Sequence, residues 1–323
     1  MRVLITGIGG MMGSHLTDYL SGQGIRPLGI HYNSTVPLSE IGGRATLEEC
    51  DVRDALRVLR LIDDFRPQVI YHLAAQSYPS VSWLRPADTL DINIIGTVNV
   101  CEAVKLVRRV APDYDPVILV ACSSAEYGAS LTPERTPISE DAPLLPLSPY
   151  GVSKVGQDLL AYQYHHCDGL RTIRTRIFNT TGPRKVGDAA GDFTRRVVEV
   201  ECGKAECLRV GNLTTRRAIT DVRDLIRALV LLAERGAPGE VYNISGKHVY
   251  SMKEVVDLVK TLAKVPVRVE EDASLLRPTD EPVIFGDSSR LQACTTWEQE
   301  IPLERTLSDM LEYWRGMPGE ARP

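Results

Sequence analysis

The stretch TGIGGMMG (residues 6–13) sits directly behind an apolar run, VLIT, and directly ahead of a helical pattern that continues to residue 22. Gly7, Gly10 and Gly13 allow a tight turn and bring backbone N–H groups and a helix N-terminus toward whatever lies above them. Strand, glycine turn and helix in this order form a βα unit suited to a pyrophosphate, and we expect a bound dinucleotide here. The glycines are spaced three and three, not the two and three of the dehydrogenase fingerprint. A plain β–α turn does not need three glycines.

The same alternation continues along the first half of the chain. Short β-rich runs at 26–32, 45–52, 69–74, 117–124 and 172–179 are separated by helical patterns at 11–22, 54–64, 86–109 and 149–167. Alternating strands and helices imply a parallel sheet covered on both faces. The fold class expected is therefore α/β, a Rossmann-type doubly wound parallel sheet with a smaller mixed α/β C-terminal domain. Residues 1–179 are expected to form the dinucleotide-binding domain, with 211–245 returning to it. Residues 180–323 are expected to be mainly a substrate domain, with helices near 192–202, 221–235, 251–264 and 303–315.

Composition excludes several classes. With 43% apolar residues the chain buries a full core, and a net charge of −5 without a basic run argues against nucleic acid. The seven cysteines are odd in number and scattered without zinc spacing, so no metal site is expected. No apolar run approaches the length of a membrane span, and the chain starts on a strand. A soluble, cytoplasmic protein with reduced thiols is the expectation.

Other strand ends bear on the cofactor. CDVRD (50–54) places Asp51 and Val52 after the third strand, with Asp51 able to reach an adenine. HLAAQS (72–77) places Leu73, Ala74 and Ala75 after the fourth, where small residues let backbone lie close to a ligand. After the second strand, IHYNST carries Tyr32 but neither the carboxylate that would bind a ribose 2′-hydroxyl nor an arginine for a 2′-phosphate. Lack of a carboxylate removes repulsion against a phosphate, which leans toward NADP, with NAD as the alternative.

SPYGVSK (148–154) puts Tyr150 one helical turn ahead of Lys154, behind a capping serine and a first-turn proline. A capped surface helix is one reading. Acid–base chemistry is the other: the two side chains share a helix face, and an ammonium favours the phenolate. With a nicotinamide nearby, Tyr150 would exchange the proton that accompanies hydride transfer at a carbinol carbon. ACSSAEYG (121–128) offers Ser123 and Ser124 as hydroxyls to hold the substrate oxygen.

In this order, TGIGGMMG, ACSSAEYG, SPYGVSK, RIFNTTGPR, TRRAITDVRDL and LRPTDEP resemble the extended short-chain dehydrogenase/reductase family, whose members modify nucleotide sugars. The resemblance covers essentially the whole chain. It implies a catalytic set of Ser123, four residues before Tyr127, with Tyr150 and Lys154. It adds Met11, Met12 and Asn93 to the cofactor contacts, alongside Tyr150 and Lys154. For a nucleotide-diphospho-sugar it implies Gln76, Ser77, Ser124, Asn179, Arg196, Arg217 and Arg277. Thr181 departs from the pattern, which has tyrosine there. The helices at 86–109 and 149–167 are implied to pair across a homodimer, and Ile92, Ile94, Ile95, Val98, Val100, Leu159, Leu160, Tyr162 and Tyr164 exceed one core-facing stripe.

Within that family, HLAAQSYPSVSW, VGNLTTRRAITDVRD and the C-terminal arginine segment look like the branch of GDP-mannose 4,6-dehydratases and GDP-4-dehydro-6-deoxymannose reductases. A dehydratase needs an additional acid, which the family carries two residues before the tyrosine of the Tyr-Gly pair. Here that residue is Ala125, which departs from the related reductases as well, since they often carry an acid at that place too. Glu126 follows it as a possible acid, but alternation along an unbulged strand points it to the opposite face. The expected activity is a 4-ketoreductase, with a 4,6-dehydratase or a 4-epimerase as alternatives. A catalytically inactive nucleotide-sugar-binding protein is the reading from a different class.

Overall fold

The computed structural model describes residues 1–276 and 280–317. In chain order β1 (Val3–Thr6), α1 (Met11–Gly22), β2 (Leu28–His31), β3 (Thr46–Glu49), α2 (Ala55–Phe65) and β4 (Val69–His72) follow the expected alternation. The expected helix at 86–109 forms as one contiguous helical run, Pro86 to Val110, with a π turn inside it. A separate short helix, α3 (Pro79–Leu84), precedes α4 (Pro86–Leu90), one wide π turn at Asp91–Ile95, and α5 (Gly96–Val110). Two prolines start α3 and α4, at positions where a missing N–H costs nothing. Next come β5 (Val117–Ser123), α6 (Pro149–Asp168) and β6 (Arg171–Ile177).

Beyond residue 180 the elements shorten. They are β7 (Thr180–Thr181), α7 (Ala189–Glu201), β8 (Leu208–Val210), β9 (Arg216–Ala218), β10 (Thr220–Asp221) and α8 (Val222–Arg235). Then follow β11 (Val241–Ile244), β12 (Val249–Ser251), α9 (Met252–Leu262), β13 (Val269–Glu271), β14 (Val283–Ile284), α10 (Ser289–Thr295) and α11 (Leu303–Gly316). Of the short strands, β8 and β13 fall on the runs CLRV and VRVE, whereas the others and α10 have no sequence pattern long enough to announce them.

Seven strands form one parallel sheet in the order β11-β6-β5-β4-β1-β2-β3. Strand residues alternate between two cores. Val3, Ile5, Val69, Tyr71, Val117 and Leu119 pack on one face with α1 and α8. Leu4, Ile70, Ile118 and Val120 pack on the other with α2, α5 and α6. Both faces are buried, which is why these strands read as continuous apolar runs. The order reverses between β1 and β4, and the crevice at the carboxyl ends of the strands there is where doubly wound sheets bind ligands. A third core, from α7, β8, α9 and α11, holds the C-terminal part together.

Candidate active site

Strand β5 delivers Ser123 to that crevice, and the chain then turns at once into a 3-10 turn, Ser124–Glu126. The turn is closed by a reciprocal cap. The Ser123 hydroxyl accepts from the Ala125 N–H at 3.2 Å, and Glu126 Oε1 accepts from the Ser123 N–H at 2.7 Å. Glu126 therefore points inward because it caps the turn, not because it continues a strand. Its other oxygen lies 3.2 Å from Nε of Arg176, which also donates to Asp158 Oδ2 at 2.9 Å. Burial, and then the neighbouring Asp158, push the Glu126 carboxyl above its ordinary range. Ala125 takes the position before it, on a half-buried site.

Helix α6 brings the other two members. Ser148 caps it by accepting from the Gly151 N–H at 3.1 Å, and Pro149 occupies the first turn. The Ser123 side chain favours ionisation of the Tyr150 phenol, and the Lys154 Nζ lies 5.7 Å from the centre of the Tyr150 ring. Lys154 donates to the carbonyl of Ala121 at 2.8 Å and to Gln157 Oε1 at 2.7 Å. Burial raises the phenol to about 12 and lowers the ammonium to about 8. At neutral pH the site therefore holds a protonated phenol beside a charged lysine.

The glycine turn fits a dinucleotide. Gly7 has φ +76°, and a Cβ there would lie 2.8 Å from the backbone of Ala74. A Cβ at Gly13 would collide with the carbonyl of Gly7. Gly10 differs: a Cβ would meet only the Gly7 oxygen, at 3.4 Å. That contact is ordinary packing, so nothing inside the chain demands glycine at that helix cap. Helix α1 carries no acidic residue in its first turn, which keeps its positive end available to a phosphate. Met11 is buried there, and Met12 packs against the core.

The remaining expected cofactor residues line the same end of the sheet. Asp51 is held by Arg53, which donates to its carboxylate at 2.6 Å and lowers its pKa. Val52 packs under Gly96, and Tyr32 is exposed. Leu73, Ala74 and Ala75 follow β4. Asn93, turned inward by the π turn, donates to Ser153 Oγ on α6 at 2.8 Å and accepts from the Gln76 N–H at 2.8 Å.

The expected substrate residues divide. Ser124 is buried in the 3-10 turn and Ser77 is exposed. Asn179 pairs its carbonyl with the N–H of Thr220. Its buried side-chain oxygen and the Thr220 hydroxyl have no hydrogen-bond partner among the described residues. Arg217, on β9, is held by Asp280 at 2.6 Å. Gln76 spends its side-chain amide on Tyr78 and Thr89, and Arg196 pairs with Glu199 and the carbonyl of Cys207. Arg277 lies outside the described residues.

Residues 4–310 match the model of one protein family, GDP-mannose 4,6 dehydratase. The chain belongs to that family. With it the chain belongs to the extended short-chain dehydrogenases/reductases, NAD(P)-dependent enzymes that modify nucleotide sugars. Among curated relatives, a GDP-6-deoxy-D-mannose reductase of Pseudomonas aeruginosa is 28% identical, with 97% of each chain covered. A GDP-mannose 4,6 dehydratase of Cricetulus griseus is 25% identical over 96% of this chain and 90% of its own. Among solved structures, RMD from Pseudomonas aeruginosa with NADPH superposes with a TM-score of 0.82 at 26% identity, covering 97% of this chain and 98% of that one. UDP-glucose 4-epimerase of Thermotoga maritima with UDP-glucose gives 0.87 at 25% identity, covering 98% and 99%.

For this member of the GDP-mannose 4,6 dehydratase family, sequence reasoning overlooked the support beneath the site. Asp158, Arg176 and Arg174 form a buried ion network with Glu126. Cys122, Glu126 and Asp158 bring three possible metal ligands within 4.8 Å of one another, but the Arg176 guanidinium already pairs with both carboxylates. Gln157 lies three residues beyond Lys154, on the same helix face, and that spacing was the available signal.

Proposed function

We propose that this protein is a 4-ketoreductase of nucleotide-diphospho-6-deoxyhexoses, of the GDP-4-dehydro-6-deoxymannose type, working with NADPH. One observation carries the reading. Beside Ser123, Tyr150 and Lys154, the position of a dehydratase's extra acid is Ala125, while the adjacent Glu126 is committed to Ser123 and Arg176. Likeness over 97% of the chain to a GDP-6-deoxy-D-mannose reductase supports the same choice.

The chemistry follows from the side chains. Ser123 holds the C4 carbonyl oxygen, and Tyr150, protonated at neutral pH, gives that oxygen its proton. Lys154, charged below about pH 8, stabilises the phenolate left behind. When bound, the dinucleotide supplies the hydride for C4. Gly7, Gly10, Gly13 and the N-terminus of α1 hold its pyrophosphate, and Arg217 and Asn179 the diphosphate of the sugar. Likeness to a UDP-glucose 4-epimerase favours a second reading, in which the hydride returns to the other face of the same sugar.

Mass spectrometry of the purified protein with nucleotide hexoses, their 4-keto-6-deoxy forms and NADPH separates these outcomes. Reduction adds two hydrogens, dehydration removes one water, and epimerisation leaves the mass unchanged. We expect the first, with GDP-4-dehydro-6-deoxymannose consumed as NADPH disappears. Loss of water from GDP-mannose at more than about 0.1 per second, the low end of ordinary turnover, would replace the reductase by the dehydratase. Accumulation of an epimer of unchanged mass would replace it by the epimerase.

A further inference from the structure

We propose that Gln157 is a positioning residue that holds the Lys154 ammonium in its working place, as the first link of a buried hydrogen-bonded chain running to the floor of the glycine turn. The proposal rests on reading Lys154 as the lysine of the active site.

Each proton in the chain has one place. Lys154 donates to Gln157 Oε1 at 2.7 Å, and Gln157 Nε2 donates to Thr97 Oγ1 at 2.7 Å. Thr97 spends its own hydroxyl proton on the carbonyl of Asn93, at 2.7 Å. His72 Nε2, 3.0 Å from the Thr97 oxygen, must therefore be the donor there. Burial lowers His72 to about 3, so the ring is neutral and Nδ1 accepts from Thr6 Oγ1 at 2.8 Å. Thr6 in turn accepts from the N–H of Ala74 at 3.2 Å, the residue that backs Gly7.

All four side chains between Lys154 and Ala74 are buried to within 1% exposure. In such surroundings every polar atom needs its partner, so the chain has few alternatives. Two of the three ammonium protons are spent on the Ala121 carbonyl and on Gln157. The Tyr150 ring centre lies 5.7 Å from the same Nζ. Remove the glutamine oxygen and the ammonium keeps one fixed contact, about which it can swing.

The effect on charge has a definite sign. Gln157 Oε1 accepts from the charged form of Lys154, so losing it lowers the lysine pKa, and a carboxylate in its place raises it. The groups facing Lys154 are Cys122 and Glu126 from β5 and its turn, His72 from β4 and Tyr150 from its own helix. All of them are retained in the variants below.

The test is a titration followed by nuclear magnetic resonance, on protein isotope-labelled at the lysine ε-carbons. Lys154→Met assigns the signal, and no substrate is needed. Gln157→Leu should lower the Lys154 pKa by about one unit and Gln157→Glu should raise it by a similar amount. Shifts below about 0.3 unit in both variants, or in the same direction, overturn the proposal. Should Gln157→Leu not fold, the near-isosteric Gln157→Glu decides alone: an upward shift supports the proposal and none overturns it.

Turnover of GDP-4-dehydro-6-deoxymannose with NADPH then reads the positioning. Gln157→Leu should lower kcat about tenfold or more with KM for the sugar unchanged, and move the alkaline loss of activity to lower pH. A displaced pKa with unchanged kcat also overturns the proposal. If wild type itself fails to reduce this sugar, the proposed function falls, while the titration still decides Gln157.

Discussion

At Tyr150 the surroundings do two opposite things to one proton. Burial holds it on the phenol, while the Ser123 side chain eases its departure. A reductase needs that balance, because its tyrosine must be protonated at rest and able to give the proton up during reaction. Tyr150→Phe removes the hydroxyl and leaves the ring. It should fold with an unchanged melting temperature and lose about 10²–10⁴-fold in kcat. Steady-state rates within threefold of wild type would remove Tyr150 from the proton transfer. Arg217 presents a second single-residue case. It is already held by Asp280 and by the carbonyls of Arg216 and Glu281, which preorganise its guanidinium. Arg217→Ala should raise KM for the nucleotide sugar about tenfold or more, since a charge-assisted phosphate contact is worth roughly 1.5–3 kcal/mol. NADPH affinity, measured by fluorescence, should stay as it was. Equal weakening of both ligands would place Arg217 elsewhere.

Helix α6 serves the site with one face and offers another to solvent. Lys154, Gln157 and Asp158 are buried and Tyr150 is partly buried, whereas Val152, Leu159 and Tyr162 are about half exposed. On the neighbouring pieces of the long helix, Ile95 and Leu106 are exposed as well. Two residues expected on this outer face belong to the inner one. Val100 and Tyr164 lie in the core between the sheet and its helices, and Tyr164 donates to Glu102. The reduced apolar face still suits a two-fold partner, an identical helix pair from a second copy. We expect dimers in analytical ultracentrifugation at micromolar concentration, and monomers for Leu159→Glu, which puts a charge in the middle of the face. A wild-type monomer would refute the interface.

The parts of the molecule are joined close to the dinucleotide crevice. Arg184, on the turn after β7, donates to Asp18 of α1 at 2.8 Å and to Glu40 at 2.9 Å. Glu40 also accepts from the Tyr313 hydroxyl of α11 at 3.0 Å, and His15 of α1 contacts the carbonyl of Pro183. This clamp ties the helix behind the glycine turn to the C-terminal helix. Arg184→Ala takes from Glu40 its only ion-pair partner among the described residues, so that Glu40 keeps the Tyr313 hydroxyl, and leaves Asp18 with Arg44 alone at 2.8 Å. Loss of roughly 1–3 kcal/mol follows, seen as a melting temperature lower by a few degrees in calorimetry. No change in melting temperature would mean that the carboxylates find solvent instead.

Much of this was legible in the chain because it is local. A strand, a glycine turn and a helix follow one another within TGIGGMMG and its flanks, and Tyr150 and Lys154 are neighbours by helix geometry alone. The alternation of such units specified a doubly wound parallel sheet, since strands joined by helices have few other ways to bury both faces. What surrounds the site was decided by residues far apart in sequence. Gln157 meets Thr97 across 60 positions, Thr6 meets His72 across 66, and Tyr127 meets Asn243 across 116. Glu126 took its direction from the cap it forms and from Arg176 on the next strand, although strand alternation alone would also turn it away. The wide turn at 91–95, which aims Asn93 at Ser153, shifts the period of a helix that reads as regular in the sequence. Spacing along one segment determined which chemical groups were available. Burial determined which of them are charged, paired or free to act, because the cost of an unpaired polar atom exists only once the sheet and helices have excluded water.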